Sequence, residues 1–233
     1  DVYKRQVHTT LARDLGVDPG PELRAAHGTL RGSPARSPEI RVIPAQLPRD
    51  LPRFTGRRTE LDRLEALLPA DGRAMPVIAI DGLPGAGKSA LAVHWAHRIA
   101  GRFPDGQIYL DLREEGPDEA LRSVLSALGV AGRDVPDGAG ARAGLYRSLV
   151  AGRRMIVLLD NAADAGQVRQ LLPGGAESLV VTTARTRMTE LAAALLRLGP
   201  LTADEAHDLL VRRLTAALGD RDWPALRMCI RDR

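Results

Sequence analysis

IAIDGLPGAGKSALA, residues 78 to 92, is the stretch whose reading decides the fold. An apolar run stops at Asp81, passes through Gly82, Gly85 and Gly87, and meets Lys88 and Ser89. Gly82 to Ser89 fits G-x-x-x-x-G-K-[ST], and the pattern lies between a strand-like run, MPVIAI (75–80), and a helical one. In SALAVHWAHRIA (89–100), Leu91, Trp95 and Ile99 recur at helical spacing. The glycines let the backbone of Gly82, Leu83, Pro84, Gly85, Ala86 and Gly87 wrap an anion with its N–H groups inward. The helix that starts there, with Ala90 in its first turn, adds a positive end. In this pattern Lys88 neutralises β- and γ-phosphate charge, and the Ser89 hydroxyl joins a Mg²⁺ shell. A glycine-rich turn with an incidental lysine is the plainer alternative. The expected ligands are ATP or ADP with Mg²⁺.

Outward from this loop, strand-like and helix-like segments alternate. QIYLDL (107–112) alternates as a strand, and Leu121, Val124, Leu125 and Leu128 form an apolar helix face. MIVLLD (155–160) and SLVVTT (178–183) are continuous β-rich runs, as expected of strands buried on both faces. This alternation predicts an α/β fold, a P-loop NTPase with a parallel sheet flanked by helices, plus short helical segments at both ends. Thr202 followed by Glu205 is a capping box that opens a further helix. Near the start, residues 8–31 read as two short helical pieces around a Gly-Val-Asp-Pro-Gly-Pro turn. Prolines at 34, 38, 44, 48 and 52 then exclude a helix or a central strand and make a linker.

The 233 residues are 44% apolar and 27% charged, enough apolar mass for a core with a solvated surface. Aromatics are only 3%, so that core must be aliphatic. No apolar run approaches the ~20 residues of a membrane span, so no membrane partner and a cytoplasmic location are expected. Arginines are spread and interleaved with acids, which reads as a mixed-charge surface rather than a nucleic-acid patch. The end segments DVYKRQ (1–6) and MCIRDR (228–233) both resemble translations of a sequencing-library transposon end in two reading frames. They are expected to be assembly scars, each with a net +1, leaving a native charge of about +2 against the +4 of the full sequence. On that reading Cys229 and Lys4 are not native, and Lys88 is the sole native lysine. Arg serves as the cation elsewhere, yet a planar guanidinium cannot replace a compact ammonium folded over a phosphate.

A phosphate loop needs an acid at the end of a buried strand, and MIVLLD supplies Asp160 as the expected magnesium ligand. A helix N-cap is the other use of such an Asp, and Asp111, at the end of a more amphipathic strand, is the competing acid. The position after Asp160 is Asn161, an amide that can orient a water but cannot take its proton. Asp164 lies a turn further on as a possible substitute base, and Arg185 can reach a γ-phosphate or sit in an exposed loop. The expected catalytic set is therefore Lys88, Asp160, Asn161 and Arg185, with slow hydrolysis or none.

With these residues in place, the chain resembles the NB-ARC class of signal-transduction ATPases with numerous domains (STAND). More narrowly, it is similar to the large Streptomyces antibiotic regulatory protein (SARP) type of transcriptional regulator. FTGRRTEL (54–61) resembles the family's opening motif, which implies that Arg57 lies near the nucleotide base and ribose. DGLPGAGKSALA is similar to its phosphate loop, and RRMIVLLDNA (153–162) to its magnesium strand, including the Asn. TARTRMTEL (183–191) resembles its T-S-R sensor segment, with Ala184 in place of Ser and Arg185 at the sensor arginine. LARDLGVDPGPELRAAHGTL resembles the last helices of a bacterial transcriptional activator domain.

Together with the terminal scars and the proline linker, the resemblance gives these expected boundaries: scar 1–6, activator-domain helices 7–32, linker 33–53, NTPase domain 54–200, the start of a helical domain 201–227, and scar 228–233. It implies an ATP/ADP switch within a regulator that binds DNA through an N-terminal domain. Self-association or a protein ligand would come through C-terminal repeats. The rival readings are an AAA+-like ATPase motor or loader and, more remotely, a small-molecule P-loop kinase.

Overall fold

Helix α1 (Arg58–Ala66) opens the described structure, followed by strand β1 (Val77–Gly82) and helix α2 (Lys88–Ile99). Next come β2 (Gln107–Asp111), α3 (Pro117–Ala127), α4 (Ala139–Val150), β3 (Ile156–Ala162) and α5 (Ala165–Gln170). Strands β4 (Leu179–Ala184) and β5 (Ala194–Leu198) and helix α6 (Ala203–Leu218) complete it. This computed structural model describes residues 42–68, 77–191 and 194–218. The expected helical pieces at 7–32, the first part of the linker (33–41), both terminal segments and residues 219–227 lie outside the described residues.

The strands form one five-stranded sheet in the order β2-β3-β4-β1-β5, and every pairing is parallel. Parallel strands need covered faces, and the side-chain alternation divides the core accordingly. Ile78, Ile80, Ile156, Leu158, Leu179 and Val181 join Leu64, Leu91 and Trp95 of α1 and α2. Ala79, Val157, Leu159 and Val180 face the other way, toward Leu121 and Leu125 of α3 and Tyr146 of α4. The central strands β1 and β4 are buried at every position, whereas β2 and β5 alternate because each is an edge. Burying one Leu or Ile side chain contributes roughly 1.5–3 kcal/mol, so these two layers supply the main drive to fold.

The expected strands and the α3 face are present, and four elements go beyond the sequence reading: α1, α4, α5 and β5. Helix α4 carries Gly140 and Gly144 and a weak apolar face, α5 has six residues, and β5 is an edge. Each lacks the long apolar signal that marks β3 or β4. The end of the proline-rich stretch lies against the outer edge of β2: Gln107 N–H donates to Pro44 O at 2.7 Å, and Gln46 N–H to Gln107 O at 3.0 Å. No helix among the described residues is long and apolar enough to cross a membrane.

Parallel strands end together, so Gly82, Asp111, Ala162, Ala184 and Leu198 share one edge of the sheet. Ligands of open α/β sheets bind outside that edge.

Candidate nucleotide-binding site

The loop from Gly82 to Gly87 leaves β1 and starts α2. A Cβ on Gly82 would meet Leu198 O at 2.3 Å, so β5 runs too close for any other residue. Gly87 is the N-cap of α2 with φ 89°, a left-handed conformation that glycine adopts without strain. It supplies no side-chain cap, and the first turn of α2 holds no acid. The positive end of the helix therefore faces the loop uncompensated, with Lys88 added to it.

Lys88 is buried, and its ammonium donates to Gly82 O and Leu83 O, both at 2.9 Å. Burial, and then the charge of Arg185, hold its pKa below the ordinary lysine value against the opposing pull of Asp160 and Asp81. Arg185 follows β4 on an exposed stretch, yet its field reaches Lys88. Two cations sharing one loop edge favour an anion between them.

Ser89 Oγ donates to Asp160 Oδ1 at 2.8 Å, across 71 residues of sequence. Asp160 is 3% exposed and also accepts from Thr183 Oγ1, Tyr109 OH at 3.1 Å and Asn161 Nδ2 at 3.0 Å. The order β2-β3-β4 causes this convergence, because the strands carrying Tyr109 and Thr183 flank the one carrying Asp160. Contact with Asp160 and burial push the Tyr109 pKa above the ordinary phenol value, burial being the larger cause. A hydroxyl and a carboxylate are hard oxygen donors suited to Mg²⁺, which completes its shell with water and phosphate oxygens. The described residues hold no cluster of three or more His, Cys, Asp or Glu side chains for a metal, so such an ion would depend on the nucleotide for further donors.

Between Leu159 and Ala162 the β3–β4 register shifts, and Asn161 sits there at φ 58°. Along a regular strand Asp160 and Asn161 would point to opposite faces; the irregularity turns both side chains to the same site. Asn161 N–H donates to Thr183 Oγ1 at 3.0 Å, and its Nδ2 to Asp111 Oδ1 at 3.1 Å. Asp111, the competing acid in the sequence, is the register partner of Asp160 on β2. Arg113 Nη2 donates to it at 2.7 Å and Nε at 3.2 Å, which holds its carboxyl below the usual range. Asp164 is placed differently: it caps α5, accepting from Gln167 N–H at 2.9 Å.

A cavity of about 1060 Å³ opens beside the loop. Its walls include Leu51, Phe54, Gly85, Ala90, Pro200 and Leu209, so an apolar chamber adjoins the polar phosphate loop. Phe54 stacks on His94 of α2 at 4.1 Å between centroids. Arg57 lines the cavity, but its guanidinium is spent on protein acceptors: Gly199 O at 2.6 Å, Ala86 O at 3.0 Å and Glu60 Oε1 at 2.9 Å. It ties the opening motif to the phosphate loop and to the β5–α6 link. Tyr109, Thr183 and Arg113 were not among the expected site residues, and Asp111 was expected only as the competing acid; Thr183 and Arg113 carry one sequence signal, a polar side chain at or just past a strand end, and Tyr109, in the middle of β2, carries none.

No protein-family model matches the chain. The regulatory protein AfsR of Streptomyces griseus is 44% identical over 218 residues, covering 87% of this chain and 22% of that protein. AfsR of Streptomyces coelicolor is 43% identical over 224 residues, covering 87% and 23%. The chain thus spans less than a quarter of the length of the curated relatives it matches. Disease resistance-like protein DSC1 of Arabidopsis thaliana is 30% identical over 148 residues, 59% of this chain and 12% of that protein.

Among solved structures, the Aeropyrum pernix ORC2 protein in ADPNP–ADP complexes matches with a TM-score of 0.54 and 19% identity, over 75% of this chain and 55% of that one. The Aeropyrum pernix ORC1 protein in complex with DNA matches at 0.53 and 20% identity, over 70% and 50%. These likenesses show the fold, that of P-loop NTPases.

Proposed function

Starting from homology to the Streptomyces regulatory protein AfsR over 87% of the chain, we propose that this segment is the ATP/ADP-binding switch module of a multidomain transcriptional regulator. One observation carries the reading: Ser89 Oγ meets Asp160 Oδ1 at 2.8 Å beside the buried Lys88 and the uncapped start of α2. Cationic and acidic halves of a magnesium-nucleotide site stand together there. The loop backbone from Gly82 to Ala90 and Lys88 would hold the phosphates, and the cavity behind Leu51 and Phe54 would take the base. Ser89 and Asp160 would hold Mg²⁺, which supplies charge neutralisation at the phosphate oxygens when bound.

Hydrolysis is slow on this reading. Asn161 has no basicity, Asp164 is committed to capping α5, and Arg113 clamps Asp111. The plant relative and the motifs at 54–61 and 183–191 support the narrower NB-ARC, STAND assignment. DNA binding, protein ligands and self-association belong to the whole regulator in the cytoplasm. A switch also requires that ATP and ADP bind its two states with different affinities.

The test is to purify the intact regulator and identify its nucleotide. Stoichiometric ADP with slow turnover is the expected result. An empty site with turnover near ~10 s⁻¹, the enzyme median, would replace the switch with an ATPase motor or loader.

A further inference from the structure

The Asn161 amide is oriented by its neighbours. Its Nδ2 donates to Asp111 Oδ1 and Asp160 Oδ2 at 3.1 and 3.0 Å, which uses both amide hydrogens. Carboxylates only accept, so the NH₂ must face them and the amide oxygen must face away. That oxygen accepts no hydrogen bond from the described residues. The backbone at φ 58° and the bond from Asn161 N–H to Thr183 fix the side chain's starting point. Asp111 is held in turn by Arg113 through Nε and Nη2.

Resting on the proposed magnesium-nucleotide reading, we infer that Asp111, clamped by Arg113, is a positioning residue that locks Asn161 with its amide oxygen toward the reacting water. The charge at 111 and the residue type at 161 are therefore coupled. An acid at 161 alone would stand against two carboxylates, Asp111 and Asp160, with no donor between them. Exchanging the pair, with Asn at 111 and Asp at 161, restores a donor facing an acceptor across the same contact. The exchanged site also gains a base. A water oxygen bonds to the γ-phosphorus, the bond from that phosphorus to the β–γ bridging oxygen breaks, ADP and phosphate leave, and the water's proton goes to the carboxylate at 161.

The experiment compares intact regulator carrying Asn161→Asp, Asp111→Asn, Asp111→Ala and the double exchange. It measures melting temperature, ADP affinity and single-turnover hydrolysis of Mg-ATP. Asn161→Asp should lower the melting temperature and raise hydrolysis less than about threefold, while the exchange should regain part of the melting temperature, the contact with Asp160 still lacking a donor, and hydrolyse about 10²-fold faster than the parent. Asp111→Ala should lower the rate with ADP affinity unchanged, and Asp111→Asn should lower it by less, since its oxygen still accepts from Asn161 while its NH₂ forfeits one of the two Arg113 bonds. Full acceleration by Asn161→Asp alone at an unchanged melting temperature overturns the inference. So does an exchange that is neither faster nor more stable than Asn161→Asp. A parent that binds no ADP removes the nucleotide reading instead, and the melting temperatures then decide the 111–161 coupling on their own.

Discussion

Helices α2 and α6 both begin at the cavity rim, with Gly87 and Ala90 on one side and Ala206 and Leu209 on the other. At α6 the first turn is completed from within. Thr202 N–H donates to Glu205 Oε2 at 3.0 Å and Glu205 N–H to Thr202 Oγ1 at 3.3 Å, while Glu205 Oε1 also accepts from Arg57 N–H at 2.6 Å. Acids at 204 and 205 complement the helix dipole there. At α2 the cap is a glycine, the first turn holds no acid, and its first residue is a lysine. One start is self-sufficient and the other has a surplus of positive charge. The difference teaches where a ligand belongs, since only α2 leaves donors and charge for an anion to satisfy.

The largest test of this contrast is Lys88→Ala. It should weaken ADP binding by about 100-fold or more, near 3 kcal/mol, with little loss of melting temperature because the deleted cation is buried beside Arg185. Fluorescent-ADP titration measures it, and an unchanged affinity would contradict the site. Glu205→Ala should instead act on stability, costing about 1–2 kcal/mol through the lost cap and the lost Arg57 contact. Chemical denaturation reads that loss, and a parental midpoint would show that α6 does not depend on its box.

A pH series sharpens the same point. The Arg57 N–H and then Thr202 hold the Glu205 carboxyl below its ordinary range. Its contribution is therefore present above the unfolded carboxylate value and lost as pH falls through the lower folded one. Glu205→Gln should flatten that acid limb of the stability curve, and an identical limb would count against the contact. The smallest expected effect is at Arg185. Arg185→Ala should move the Lys88 pKa back up and weaken ADP binding only a few-fold, with a shallower dependence on salt. A salt series on both proteins checks this, and a steeper dependence in the variant would refute it.

Much of the fold was legible because its signals are local. Apolar runs gave β1, β3 and β4, the 121–128 spacing gave α3, and the Thr202–Glu205 pair gave the start of α6. Strand β5 was not legible, since an edge strand with Arg197 and Leu195 exposed lacks a continuous apolar run. Tyr109 and Thr183 escaped notice because nothing in their own segments points to Asp160. Arg57 was legible as a motif position, but its bonds to Ala86 and Gly199 exist only once residues far apart in the chain are folded together.

The sequence by itself determined the loop chemistry: glycines where φ must be positive, a lysine at a helix start, and a hydroxyl after it. These depend on neighbouring residues and backbone conformation, which sequence spacing encodes. Tertiary structure alone decided what faces that loop. The strand order carries Asp111 beside Asp160, the irregularity in β3 swings Asn161 into the same space, and Arg113 holds the group together. Register and strand order arise from burying two sheet faces at once, a property of the whole core that no single segment contains.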